Sequence, residues 1–320
     1  MTWRVGSVAW SASGLFVAVG NSRKRGYSTD GINWTVDVVG ADLSTAPTGG
    51  DYSQSQNLIV VGGPPGDRVQ FSSGAAFGTW TVADASWPLS LATRMVAYSP
   101  DLDLWIAGTE NSEVGSSTDG DTWTLRSSTF NGFVRAGAWS PSNSLFVAAG
   151  ASTAANSIRT SPDGTTWTSR TNPGISSNRA VWAPSLGLFV LTGQRFSPST
   201  DPAVATSPTG TTWTLRTVPG TLTSGGEGWS IGWSEALGLL VVGTLAGEII
   251  TSSDGTTWTQ RTSPFGGSTI NDIAWSADLG LFVAVGNSGK IATSTDGTTW
   301  TSRTSGFSTD NIAKVFWVAG

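Results

Sequence analysis

The chain has 320 residues, with 17 basic and 22 acidic side chains, for a formal net charge of −5. That balance disfavours wholesale electrostatic binding to nucleic acid or to an anionic membrane. It contains no Cys and no His, which excludes thiol chemistry, disulfides, His-containing metal sites and every catalytic triad that uses imidazole.

The first residues, MTWRVGSVAWSAS, carry no basic stretch followed by an apolar one, so no N-terminal export signal is expected. No apolar run approaches the ~20 residues a membrane helix needs, so no membrane insertion is expected. Two sequence elements then alternate down the chain. SVAWSASGLFVAVG (residues 7–20) is followed by YSTDGINWTVD (27–37), and GDYSQSQNLIVVGG (50–63) by the eroded SSGAAFGTW (72–80). MVAYSPDLDLWIAG (95–108) precedes SSTDGDTWTLR (116–126), and AGAWSPSNSLFVAAG (136–150) precedes TSPDGTTWTSR (160–170). RAVWAPSLGLFVLTG (179–193) leads to TSPTGTTWTLR (206–216), and SIGWSEALGLLVVGT (230–244) to TSSDGTTWTQR (251–261). The last pair is DIAWSADLGLFVAVG (272–286) and TSTDGTTWTSR (293–303).

The Trp of the second element falls at 34, 80, 123, 167, 213, 258 and 300, a period of 42–46 residues. Seven copies at that period indicate an all-β, seven-bladed propeller of four-stranded antiparallel blades, with residues 1–320 as one domain. Each inner strand A carries an aromatic: Trp10, Tyr52, Tyr98, Trp139, Trp182, Trp233 and Trp275. Strand B (LFVAVG) is apolar without alternation, as a strand covered on both faces by neighbouring blades must be. Strand C ends at the Asp-Gly turn, whose residues tolerate positive φ, and strand D is WTSRT. One blade cannot fold alone, because ordering about 40 residues costs on the order of 60 kcal/mol. The large side chains of one strand B return only ~1.5–3 kcal/mol each.

The element S-x-D-G-x-T-W, as in residues 294–300, resembles the Asp-box (BNR) repeat of sialidase-type propellers, with a turn one residue shorter. The resemblance covers the chain by repetition and implies a C–D hairpin remote from any active site. Asp30, Asp119, Asp163, Asp254 and Asp296 are then structural, accepting hydrogen bonds from their own turns, with Thr209 as an eroded copy. The recurrent Arg126, Arg170, Arg216, Arg261 and Arg303 read as pairing or stacking between outer strands.

A sialidase would need three arginines on the substrate carboxylate, a Tyr nucleophile with a Glu partner and an Asp acid/base. The three tyrosines here occupy repeat positions: Tyr52 and Tyr98 on strand A, Tyr27 on strand C. Glu110, Glu113, Glu227, Glu235 and Glu248 show no spacing that marks a glycosidase pair. Asp101 and Asp103 fit turn chemistry as well as calcium. A non-enzymatic protein without cofactor or metal is expected.

The A–B and C–D turns are short and uniform, whereas the B–C and D–A loops vary, and all of these loops emerge on one rim. That rim carries the candidate binding residues Arg23, Lys24, Arg25, Trp87, Arg94, Phe130, Phe133, Arg135, Arg195, Phe196, Glu227 and Trp229. Loop aromatics mixed with Arg suit protein interfaces and sugar-binding surfaces; alternatively Trp87 and Trp229 plug the loops onto the ring, and RKR is a solvated tip. The repeat style resembles propellers of bacteriophage tails, fibres and capsids. That resemblance implies a virion location, other virion proteins or a host-surface receptor or glycan as partners, and a place in a larger assembly. A bacterial carbohydrate-binding adhesive propeller is the alternative, and a glycoside hydrolase of sialidase-like fold the third reading.

Beyond the seventh copy, residues 312–318 read as an eighth strand A, with residues 311–320 closing the ring or docking elsewhere. Trp317 lies 17 residues past Trp300, as Trp275 does past Trp258. Val8–Ser11 already serves as strand A of the first blade in this reading, so the spare strand either pairs with Thr2–Val5 and seals the ring or adds to a neighbouring subunit's edge.

Overall fold

The computed structural model describes residues 14–38, 46–64, 69–73, 79–83, 92–127, 130, 132–152, 157–195, 201–223 and 227–319. They form seven four-stranded antiparallel sheets arranged as a seven-bladed propeller. Six blades run from inner to outer strand in chain order, beginning at Gly50–Ser53, Thr93–Ser99, Phe133–Ser140, Ile175–Ala183, Gly228–Ser234 and Ile270–Ser276. In every blade the outermost strand starts one residue after the repeat Trp, at Thr35, Thr81, Thr124, Thr168, Thr214, Thr259 and Thr301.

Burial explains the unbroken apolar run of the second strand. All of Leu15–Gly20 is buried, but its two faces serve different seams. Leu15, Val17 and Val19 pack with Ile59 and Val61 of the second blade, while Phe16 and Ala18 pack with Leu281, Val283 and Val285 of the seventh. Each such strand is therefore the shared core of two interfaces.

The Asp-Gly hairpins close the seams at one end. Thr298 and Thr299 donate their backbone N–H groups to Asp296 Oδ1, each at 2.7 Å. Ser294 Oγ accepts from Gly297 N–H at 2.8 Å, and Trp300 Nε1 donates to Gly297 O at 3.0 Å. The N–H of Thr299 first, with those neighbours, holds the Asp296 carboxyl well below the usual range. Asp119, Asp163 and Asp254 repeat the arrangement. At Asp30, burial would raise the carboxyl, yet the bonds from Asn33 and Ile32 bring it down to about 2. Thr209 accepts one long backbone bond, from Thr211 N–H at 3.3 Å, and shares a hydroxyl–hydroxyl bond with Thr211 at 2.7 Å.

Glycine is the less replaceable partner. Gly31, Gly120, Gly164, Gly210, Gly255 and Gly297 all have φ between +69° and +74°. A Cβ on Gly297 would lie 2.4 Å from Leu239 of the preceding blade, and one on Gly164 would lie 2.6 Å from Leu104. The hairpin thus docks its backbone against the neighbour's second strand. The recurrent arginines are tied within their own blade: Arg303 Nε donates to Thr293 Oγ1 at 2.8 Å, with equivalents at Arg126, Arg170, Arg216 and Arg261.

The first blade corrects the sequence reading. Its inner strand is the C-terminal segment Ile312–Val318, antiparallel to Leu15–Gly20, with Phe16 opposite Trp317 and Val17 opposite Phe316. The segment is no spare strand: it seals the ring against Leu15–Gly20. The position assigned to Val8–Ser11 is already filled; that segment and Thr2–Val5 lie outside the described residues. SVAW and KVFW carry the same inner-strand pattern, so the linear repeat cannot choose between them. What distinguishes them is tertiary: Lys314 pairs with Asp272 of blade seven at 3.0 Å, Lys24 with Asp310 at 2.7 Å, and Trp317 packs edge-on against Phe16 at 4.7 Å.

Candidate functional site

The site begins with a backbone irregularity that recurs around the ring. In six inner strands the pairing slips by one residue, at Arg94, Arg135, Asn178, Trp229, Asn271 and Ala313. Each lies four residues before the inner-strand aromatic. In the second blade Thr48 holds this place. Its N–H donates to Gly62 O at 3.0 Å while Gly62 N–H donates to Gly49 O at 2.9 Å, so two residues face one. A bulge re-aims a side chain out of the pleat. Here all seven line a single axial pit of 280 Å³, joined by Asn21, Pro47, Asn287 and Asn311 from the loops of the variable rim.

A second cavity of 210 Å³ shares Arg94, Arg135 and Arg179 with the pit and adds Asp51, Asp272, Lys314 and Phe316. The charges are unequally matched. Arg94 is paired with Glu110 through Nη2 at 2.6 Å, and Lys314 with Asp272 at 3.0 Å. Arg135 Nη1 reaches only the Asn178 side-chain oxygen, at 3.4 Å, with its guanidinium 5.2 Å over the Phe133 ring. Arg179 donates to two backbone carbonyls, Asn178 O at 2.8 Å and Thr48 O at 3.2 Å, and its buried Nε has no acceptor among the described residues. Burial pulls both guanidinium groups below their ordinary pKa, with Glu227 opposing the effect at Arg135.

The two acids of the lower cavity are committed to holding blades together. Asp51 accepts from Tyr52 N–H and, across the seam, from Tyr98 N–H, both at 2.9 Å. Burial nonetheless raises its carboxyl to about 6. Asp272 accepts from Lys314 Nζ and from Val315 N–H, both at 3.0 Å. The far face differs in charge: its described turns hold ten of the 22 acids and no Lys or Arg, leaving 12 acids against 17 basic residues elsewhere in the chain.

Of the residues singled out from the sequence, Arg94, Arg135 and Trp229 meet in the pit. Glu227 accepts from Asn178 Nδ2 at its lip, at 2.6 Å, and Phe133, 39% exposed, stands beside Arg135. Phe130 is buried against Trp167 and Arg159, a plug rather than a contact surface. Arg25 is not a loop residue: it lies buried in the strand Lys24–Ser28, ion-paired with Asp37 and stacked over Tyr27. Lys24 is engaged by Asp310, and Arg23 is an exposed turn residue with φ +59°. Arg195 lines a separate groove with Asp201 and Leu222. Trp87 and Phe196 lie outside the described residues. Sequence reasoning missed Asp51, Asn178, Arg179, Asn271, Asp272 and Lys314; counting three and four residues back from each inner aromatic finds all but Asp51.

No family model matches the chain, and no curated protein does. Among solved structures it is similar to a protein from Lactobacillus plantarum (TM-score 0.68, 12% identity, 95% of this chain and 99% of that one). It is also similar to Sqt1 of Saccharomyces cerevisiae (TM-score 0.60, 11% identity, covering 90% and 82%). A chain of a nidogen/laminin complex is a further likeness (TM-score 0.56, 10% identity, covering 82% and 97%). At these identities the likeness establishes the propeller fold.

Proposed function

We propose that this chain is a non-enzymatic binding propeller that docks protein partners through its variable face. The observation that carries this reading is the division of labour between the two faces. One is closed by uniform hairpins, whereas the other gathers the irregular loops, the exposed Phe133 and an axial pit with two arginines that have no carboxylate partner among the described residues. Exposed aromatics beside Arg are what protein interfaces draw on for affinity. A relative in fold lies in a protein–protein complex, that of nidogen and laminin. Against hydrolysis stands the commitment of Asp51 and Asp272 to backbone N–H groups of adjacent blades, which leaves no free carboxylate pair there.

The setting we propose is a phage virion, as a tail, fibre or capsid-associated component attaching to other virion proteins or to a host surface. A lectin-like adhesive role uses the same face. Photo-cross-linking side chains placed at Phe133 and Arg195, and separately at Thr298 on the hairpin face, test the docking surface in the producing cell. Adducts from the first two positions are expected, and adducts from Thr298 alone would reverse the assignment of faces. Electron microscopy of assembled particles tests the virion setting, and a glycan array on the isolated ring tests the lectin reading.

A further inference from the structure

Arg135 and Arg179 stand out in the pit because neither has a carboxylate within ion-pair distance among the described residues. Both hydrogen-bond to the same residue, Asn178, one through its side chain and one through its backbone carbonyl, so the two guanidinium groups are neighbours. Arg94 in the pit and Lys314 in the cavity below have carboxylates within ion-pair distance, but these two have none among the described residues. Arg179 Nε is a buried donor without an acceptor among the described residues, a condition that costs free energy unless a bound group relieves it. The Arg135 guanidinium lies 5.2 Å over the Phe133 ring, and a guanidinium fork favours a planar oxyanion.

The surroundings select among anions. Glu227 acts on Arg135 and Asp272 on Arg179, so a single negative charge is better tolerated there than a doubly charged phosphate or sulfate. The upper pit, at 280 Å³, falls just below the roughly 300–1,000 Å³ of clefts that enclose whole small molecules. It is suited to the tip of a side chain or the end of a chain. The acid-rich hairpin face repels an acidic segment, which favours approach from the variable face.

We propose that Arg135 and Arg179 bind a single carboxylate of a docking partner, an acidic side chain or a chain-terminal carboxylate inserted along the propeller axis. This rests on the protein-docking reading above and names the group the pit recognises. Arg94 and Trp229 form the wall around it, and Asn178 holds the two arginines in register.

The test is titration calorimetry on the full chain at low ionic strength with short blocked peptides at millimolar concentration. A blocked Gly-Glu-Gly peptide is compared with its Gln counterpart, and a Gly-Gly-Gly peptide with a free C-terminal carboxylate with its amide. The carboxylate member of at least one pair binds about tenfold more tightly than its neutral partner, the scale of a charge-assisted hydrogen bond; which pair responds tells side chain from chain end. Arg179→Gln and Arg135→Gln each erase that preference, and Arg135→Lys, which keeps the charge but not the fork, restores only part of it. The comparison within each peptide pair uses the unaltered protein, so it stands even if a variant folds poorly. Equal binding of charged and neutral peptides, binding of none, or response to chloride alone overturns the proposal, and binding of glucuronate but of neither acidic peptide overturns the peptide source. Peptide failure with cross-links still on the variable face removes this inference and leaves the docking reading standing; cross-links confined to Thr298 remove the docking reading itself.

Discussion

Replacing Phe316 by Ala tests whether the C-terminal strand holds the ring closed. Phe316 is 7% exposed and packs in one cluster with Leu15, Val17 and Val19 of its own blade and Ile59 and Val61 of the next. Its ring also sits against Gly50, where a Cβ would come within 2.8 Å of it. It therefore fills the seam between the composite blade and the second blade. Truncating a buried Phe to Ala costs ~3–5 kcal/mol through lost transfer energy and the cavity left behind; the side chain borders the lower cavity, so the lower end applies. An unfolding entropy of about 2.1 cal/mol/K per residue over this length converts ~3–4 kcal/mol into a fall of about 5–6 °C in melting temperature. Differential scanning calorimetry reads the shift, with Phe133→Ala, a 39% exposed Phe on the variable face, as a control expected to move it by about 1 °C or less. A shift below about 1 °C for Phe316→Ala would refute closure by this strand, because a segment that leaves the ring to pair elsewhere exposes this ring to solvent anyway.

Deleting residues 311–320 lowers the melting temperature further than Phe316→Ala in the same calorimeter, since it uncovers Phe16 and Val17 and removes the partner of Asp272. Gly297→Ala destabilises the protein by ~2–4 kcal/mol in denaturant unfolding, through its positive φ and the 2.4 Å approach to Leu239. Asp296→Ala costs only ~1 kcal/mol, since its bonds are exposed to water; a reversed order contradicts the account of the hairpin. Asp51, with its carboxyl raised by burial to about 6, contributes stability that is full below the unfolded value near 4 and lost as the pH rises through 6. The stability of Asp51→Asn relative to the unaltered protein should therefore rise between pH 4 and 7, by an amount on the order of 2–3 kcal/mol; a difference independent of pH would show that Asp51 is not held neutral by burial.

The repeat itself determined the architecture. A Trp every 42–46 residues, an unbroken apolar second strand and a Gly in nearly every hairpin leave few arrangements other than stacked blades in a ring. These are local requirements: the Gly needs its positive φ and the second strand needs two covered faces wherever the copy sits. The seven outer strands accordingly begin where the Trp positions placed them. Ring closure was not legible, because residues 8–11 and 314–317 satisfy the same inner-strand pattern, and only the contacts of Lys314, Phe316 and Trp317 with other blades decide between them. Nor was the pit. Loop variety pointed to the rim on which the pit opens and to Arg94, Arg135 and Trp229, but it also drew in Arg25, which the strand register turns into the interior. Arg179 and Lys314 sit within inner strands and so carry no loop signal. A bulge leaves no mark in the composition of a single strand; its effect appears only when seven strands converge on one axis and their re-aimed side chains meet.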